Sequence, residues 1–420
     1  MIYKRKAFLV LLSLMFMLVG CNKEDSLPKN NDQIGNIPGE NHIDDPNKDI
    51  IDTKPIDPIE EKIKALSLEE KIGQLIIASF EGTELNEEIT SLIEEYKIGG
   101  FILFSRNIID EYQTLDLLNG IKEMNSKNPI PLFLSIDEEG GKVSRLPKAY
   151  PRLPEAFEFG KKNDRNLSYE LGSILGERVK SLGFNMNFSP VLDINSNPKN
   201  PVIGNRAFGS SVEPVVDNGI EVMLGIMDRD VISVVKHFPG HGDTSIDSHM
   251  NLPKVNKTKE DLISFELQPF IAAIDNGVDA IMLAHILYPE IDDYPATMSP
   301  KIIGELLRGE LGFNGVVVSD DMTMGAIMEN YTIEEGVLSF LKAGGDLALI
   351  CHGKENPIKV MEEIMDAVKG GELTEEEIDE KVYRILKLKE KYNLKDNPID
   401  NIDLRELNNK TLELKNKIKN

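Results

Sequence analysis

Fourteen consecutive residues, Lys236-His237-Phe238-Pro239-Gly240-His241-Gly242-Asp243-Thr244-Ser245-Ile246-Asp247-Ser248-His249, hold three of the six histidines in this 420-residue chain. An imidazole two positions from a carboxylate, as in Asp247-Ser248-His249, can be oriented and made more basic by it, which suits proton transfer near neutral pH. Zinc ligation is another use for clustered histidines, but no cysteine and no H-E-x-x-H helix joins them. A second candidate is Gly315-Val316-Val317-Val318-Ser319-Asp320-Asp321-Met322. A carboxylate that leaves a run of valines faces a poorly hydrated environment, where it can act as a nucleophile or stabilise charge. It can equally cap a helix, and two adjacent aspartates allow both jobs. Strand alternation turns them to opposite faces without saying which one faces a pocket.

Both candidates sit where an apolar run ends. Runs suited to buried parallel strands occur at 74–78, 100–104, 132–136, 185–189, 233–236, 280–284, 316–319 and 347–350. Amphipathic segments with helix signals lie between them. Ser67 with Glu70 and Thr258 with Asp261 read as capping boxes, and Gly183 as a left-handed stop after a long helix. Eight strand–helix repeats predict a TIM (β/α)8 barrel forming a single catalytic domain. An open doubly wound sheet is the alternative, but no G-x-G-x-x-G opens its first helix. A barrel gathers chemistry at the C-terminal ends of its strands. There the sequence places Asp137 to Arg145 after strand three, Asp193 and Val202 to Arg206 after strand four, Lys236-His237 at strand five, His285 after strand six and Asp320-Asp321 at strand seven.

The run K-H-F-P-G-H-G-D-T-x-x-D-S-H resembles the signature of glycoside hydrolase family 3, and within it the β-N-acetylglucosaminidase branch, in which a histidine replaces the usual carboxylate acid/base. Residues 137–145 match D-x-E-G-G-[RK]-V-x-R, with Glu138 where Gln is common and Lys142 where Arg is common. Residues 203–208 match I-G-x-R-x-F. The resemblance covers roughly residues 59–395. It implies a retaining exo-β-N-acetylglucosaminidase that needs no metal and no cofactor. By resemblance Asp320, which follows Ser319 directly, is the nucleophile, and His249 oriented by Asp247 is the acid/base. Asp137, Arg145, Arg206, Lys236 and His237 would bind the sugar. A carboxylate ringed by Lys, Arg and His donors is what a pyranose requires. His241 and His285 would pack behind these groups; His42 and His352 carry no assigned role. Three alternatives stay open: a phosphorylase, since a histidine does not repel phosphate; a β-glucosidase or xylosidase; and a non-catalytic glycan-binding surface protein. The Pro239–Met250 loop, rich in glycine and polar residues, is expected to bury little of itself and to be mobile without ligand.

At the N-terminus Lys4-Arg5-Lys6 precede an apolar segment from Ala7 to Val19, shorter than the about 20 residues that span a bilayer. Leu18-Val19-Gly20-Cys21 resembles a bacterial lipobox. It implies a lipoprotein signal peptide over 1–20, cleavage before Cys21 and lipid attachment to that thiol, hence an extracytoplasmic, membrane-anchored protein. Only Cys351 remains, so no intramolecular disulfide is expected. Residues 21–58 read as a disordered tether with an end-to-end distance of roughly 30–40 Å. The net charge of −24 argues against nucleic-acid partners. Terminal β-linked N-acetylglucosamine glycans, with muropeptides from peptidoglycan among them, are the expected substrates. The charged segment 396–420 is left as either a docked helix or a frayed tail.

Overall fold

The computed structural model describes residues 57–245, 247–248 and 251–420. The expected signal segment, Cys21, most of the expected tether and His249 lie outside the described residues.

Eight parallel strands close into a barrel in chain order: β1 (Ile76–Ala78), β2 (Gly100–Leu103), β3 (Phe133–Ile136), β4 (Met186–Asn187), β5 (Ile232–Phe238), β6 (Ala280–Leu283), β7 (Val316–Asp321) and β8 (Leu347–Ile350), with β1 paired to β8. This is the TIM barrel that the alternating pattern predicts. Its strands are buried on both faces because helices cover the outside and packed side chains fill the inside. That explains why they read as unbroken apolar runs, as in Val316-Val317-Val318. Most strand limits shift from the sequence reading by one or two residues, and β7 runs on through Asp321; the largest changes are in β4 and β5. β4 contracts to two residues, and β5 continues past Lys236 through Phe238.

Local signals fix the connecting helices. The Ser67/Glu70 and Thr258/Asp261 capping boxes both form, and the helix Arg165–Leu182 stops at Gly183 with φ of 100°. The C-terminal segment forms a helix, Arg405–Lys419, that buries Leu407, Leu414 and Ile418. Lys410 and Lys417 pair with Glu177 and Glu170 of the helix Arg165–Leu182. No helix among the described residues is long and apolar enough to cross a membrane.

The loop leaving β5 corrects the expectation of sparse burial. His241, Gly242, Thr244 and Ser248 are all buried. At Gly242 an added Cβ would meet the Ile194 carbonyl oxygen at 1.7 Å, so the backbone runs against its neighbour as only glycine allows. Tyr288 Oη donates to the Gly240 carbonyl over 2.7 Å. The loop is seated by contacts that its composition does not advertise.

Candidate active site

The C-terminal ends of the strands surround a cavity of about 250 Å³. Asp137, Arg145, Arg206, Lys236, His237 and Asp320 all line it, brought together from sequence positions up to 183 residues apart. Asp247 is half-buried, and its backbone carbonyl accepts from the Asn251 amide at 3.1 Å.

Two breaks in strand register shape the cavity floor. The β5–β6 ladder shifts between Val235 and Phe238, where the Lys236–His237 peptide is cis, and consecutive Lys236 and His237 both reach the cavity. The β7–β8 ladder shifts between Val318 and Asp321. Alternation would separate Asp320 from Asp321, yet both line the cavity because the regular pleat ends there. Their surroundings differ. Asp321 Oδ1 accepts from the Thr323 amide (2.9 Å), the Thr323 hydroxyl (2.6 Å) and the Cys351 amide (3.0 Å), tying the loop after β7 to the end of β8. Asp320 accepts only from the Asp321 amide, at 2.9 Å, among the hydrogen bonds of the described residues. Burial works to raise the Asp320 pKa, but the His285 and His237 rings, the Asp321 amide and Lys236 outweigh it and hold the carboxyl below its ordinary 3.8.

A charged cradle lies beside this carboxylate. Lys236 Nζ sits 2.7 Å from Asp137 Oδ1 and 2.7 Å from Glu139 Oε1. Arg206 holds Glu139 in a two-pronged grip, Nε to Oε2 at 2.9 Å and Nη2 to Oε1 at 2.7 Å. Burial disfavours each charge, but mutual pairing prevails: the Glu139 pKa falls well below and those of Arg206 and Lys236 rise above their usual values. Glu139, Arg206 and Lys236 are therefore charged together, a set of fixed donors and acceptors around a polar ligand. Arg145 Nε is buried without a hydrogen-bond partner among the described residues, on a side chain that lines the cavity. Glu138 positions it from behind, accepting from the Ser144 hydroxyl and the Arg145 amide, each at 3.0 Å.

The histidines divide into two kinds. His237 Nδ1 lies 2.6 Å from Asp193 Oδ2, while Asp193 Oδ1 accepts from the His241 amide at 2.6 Å. That contact places the ring proton on Nδ1 and leaves Nε2 for other partners. His241 is a loop anchor: its ring meets the Thr244 hydroxyl and the Ser248 hydroxyl, each at 3.0 Å. The Ser248 carbonyl also accepts from the Ala326 amide at 3.1 Å. The residue immediately before His249 is thus fixed on two sides. His285 Nε2 faces the Asp321 carbonyl at 3.0 Å, which can only accept, so Nε2 carries a proton; Nδ1 meets the Thr297 hydroxyl at 2.6 Å.

Two residues with important places here, Glu139 and Asp193, had no role assigned from the sequence. The first lies inside the D-x-E-G-G motif, and the second follows β4 as an isolated carboxylate. Only their partners, 67 and 44 residues away, reveal what they do. Among the described residues no group of three or more His, Cys, Asp and Glu side chains is arranged to hold a metal ion.

Residues 67–388 match the model of the Glycosyl hydrolase family 3 N terminal domain. The chain belongs to glycoside hydrolase family 3. A family 3 β-N-acetylglucosaminidase from Paenibacillus sp. str. FPU-7 superposes with a TM-score of 0.79 at 40% identity, covering 83% of this chain and 68% of that one. A relative named beta-hexosaminidase from Methylobacillus flagellatus is 35% identical over 277 residues, 64% of this chain and 78% of its own length. Beta-hexosaminidase A of Pseudoalteromonas piscicida is 35% identical over 335 residues, 74% of this chain but only 56% of that protein. The family 3 match spans the barrel and every cavity-lining residue named above.

Proposed function

We propose that this family 3 chain is a retaining β-N-acetylglucosaminidase acting on terminal, non-reducing residues. The names of the similar proteins support the substrate class. The single observation that carries the chemistry is Asp320, an ionised carboxylate at the tip of β7 with few hydrogen bonds, facing the same cavity as the Asp137–Lys236–Glu139–Arg206 cradle.

In this reading the cradle and His237 hold the sugar hydroxyls, while Asp320 attacks the anomeric carbon to form a glycosyl-enzyme. His249, oriented by Asp247, protonates the leaving oxygen and then takes a proton from the incoming water. An imidazole with an ordinary pKa near 6.5 can do both. Support for this placement comes from the flanking residues: Asp247 and Ser248 lie on a loop whose fixed point, Ser248, lines the cavity. Because the Asp320 pKa lies below 3.8, loss of nucleophile ionisation limits activity only in strong acid. Peptidoglycan fragments as substrate, and a membrane anchor through Cys21, belong to the same proposal.

Hydrolysis of p-nitrophenyl N-acetyl-β-glucosaminide by the wild type and Asp320→Ala, side by side, tests it. The substitution is expected to reduce kcat by about 10³-fold or more with the fold intact. Undiminished turnover would remove Asp320 from the role. Preference for the p-nitrophenyl glucoside would overturn the substrate assignment.

A further inference from the structure

A second cleft, of about 760 Å³, lies between the helix Ala156–Lys162 and the C-terminal helix, and shares no lining residue with the catalytic cavity. Five cations line it, Arg152, Lys161, Lys162, Lys415 and Lys419, against one carboxylate, Glu158. This is a local excess of positive charge on a chain whose formal charge is −24. Elsewhere on the C-terminal helix, lysines find partners, as Lys410 does with Glu177 and Lys417 with Glu170. Among the described residues, Lys161, Lys162, Lys415 and Lys419 form no ion pair within 4.0 Å. Arg152 is held in place by a neutral contact, Nη1 to the Gly141 carbonyl at 3.0 Å. Leu153 and Ile418 contribute apolar surface to the same cleft.

Like charges gathered in a concave, partly apolar site repel one another and focus a positive potential that an anion relieves. Four of the five cations are ammonium groups, point charges suited to phosphate oxygens rather than to the paired geometry of a carboxylate. A bilayer presents a flat sheet of headgroups, whereas Lys161 and Lys162 on one helix and Lys415 and Lys419 on the other flank the cleft from two sides, an arrangement that fits a chain lying between them. We propose that this cleft binds a linear, phosphate-bearing polyanion, and that the 138–154 loop contributes residues both to it and to the catalytic cavity. Arg152 and Gly141 belong to that loop, as do the cavity-lining Glu139 and Arg145.

The test measures calorimetric binding of a short inorganic polyphosphate to the full chain at low salt. Saturable binding that weakens as salt rises is expected. Lys161→Glu/Lys162→Glu and Lys415→Glu/Lys419→Glu should each weaken it about tenfold or more, since each reverses two of the charges that line the cleft. Lys127→Glu/Lys395→Glu changes net charge equally, at exposed lysines outside the cleft, and should bind as the wild type does. All three variants should hydrolyse p-nitrophenyl N-acetyl-β-glucosaminide at the wild-type rate, which reports that the barrel has folded. Absence of polyphosphate binding, or equal weakening in the distant control, would overturn the proposal. So would cosedimentation with phosphatidylglycerol vesicles in the absence of polyphosphate binding, which would assign the patch to a membrane surface.

Discussion

Asp193 Oδ2 lies 2.6 Å from His237 Nδ1, a buried contact between the loop after β4 and the end of β5. Burial opposes the Asp193 charge, but the His237 ring beside it and the His241 amide keep its pKa below the ordinary value. The carboxylate therefore fixes both the orientation of the ring and the nitrogen that carries its proton. Asp193→Ala is expected to lower kcat/KM by about 10–100-fold, the value of a lost charge-assisted hydrogen bond. Steady-state kinetics on the chromogenic glycoside, with a melting curve to exclude unfolding, checks this. Unchanged kcat/KM would mean that His237 needs no such support.

The two adjacent aspartates should separate by phenotype. Asp321 satisfies three donors from two loops, so Asp321→Ala should destabilise the fold by about 2–4 kcal/mol. Asp320→Ala removes a carboxylate with little hydrogen bonding and should leave stability near that of the wild type while abolishing turnover. Chemical denaturation of both variants reads the difference. Equal destabilisation would show that Asp320 is structural as well.

Glu139 neutralises two cations at once, the buried Lys236 and the partly buried Arg206. Glu139→Ala leaves Arg206 and Lys236 facing each other with Asp137 as the remaining counter-charge, at an expected cost of about 3–5 kcal/mol. The sign of its pH dependence follows from its lowered pKa. This contribution is present above the ordinary carboxylate value of 4.5 and is lost as pH falls toward the lower folded value. A variant as stable as the wild type at pH 7 would contradict the assignment.

His241 should make the fold sensitive to mild acid. Burial first, and the neighbouring His237 second, push its pKa down from 6.5 to about 4. The unfolded chain takes up this proton first, so stability from a neutral His241 is present above pH 6.5 and declines as pH falls through that window. The loss amounts to about 3 kcal/mol by the time pH reaches the folded value. His241→Gln should flatten the profile between pH 6.5 and 4, as measured by denaturant midpoints. A profile identical to that of the wild type would place the pH dependence elsewhere.

Much of the architecture was readable from periodicity. Each strand of the barrel is an apolar run because both its faces are covered, and Val316-Val317-Val318 or Leu347-Ala348-Leu349 can be located without knowing any partner. The same holds for Ser67 with Glu70, whose capping contacts span only three residues. Strand ends were less legible. β5 continues through His237 and Phe238 because Leu283, 45 residues later, completes its ladder. Burial in the described part of the β5 loop was misjudged for a related reason: glycine and polar residues suggest exposure, yet Gly242 lies against Ile194 and His241 bridges Thr244 to Ser248.

By itself the order of residues determined the eightfold alternation and the family 3 signature. It also determined which side chains stand at the strand tips, since all of these depend on neighbours a few positions apart. Only the closed barrel decided which of those side chains meet. Glu139 finds Arg206 and Lys236, Asp193 finds His237, and both Asp320 and Asp321 turn toward one cavity, because paired charges and broken pleats arise from contacts between distant strands. Sequence proximity carries no record of such contacts.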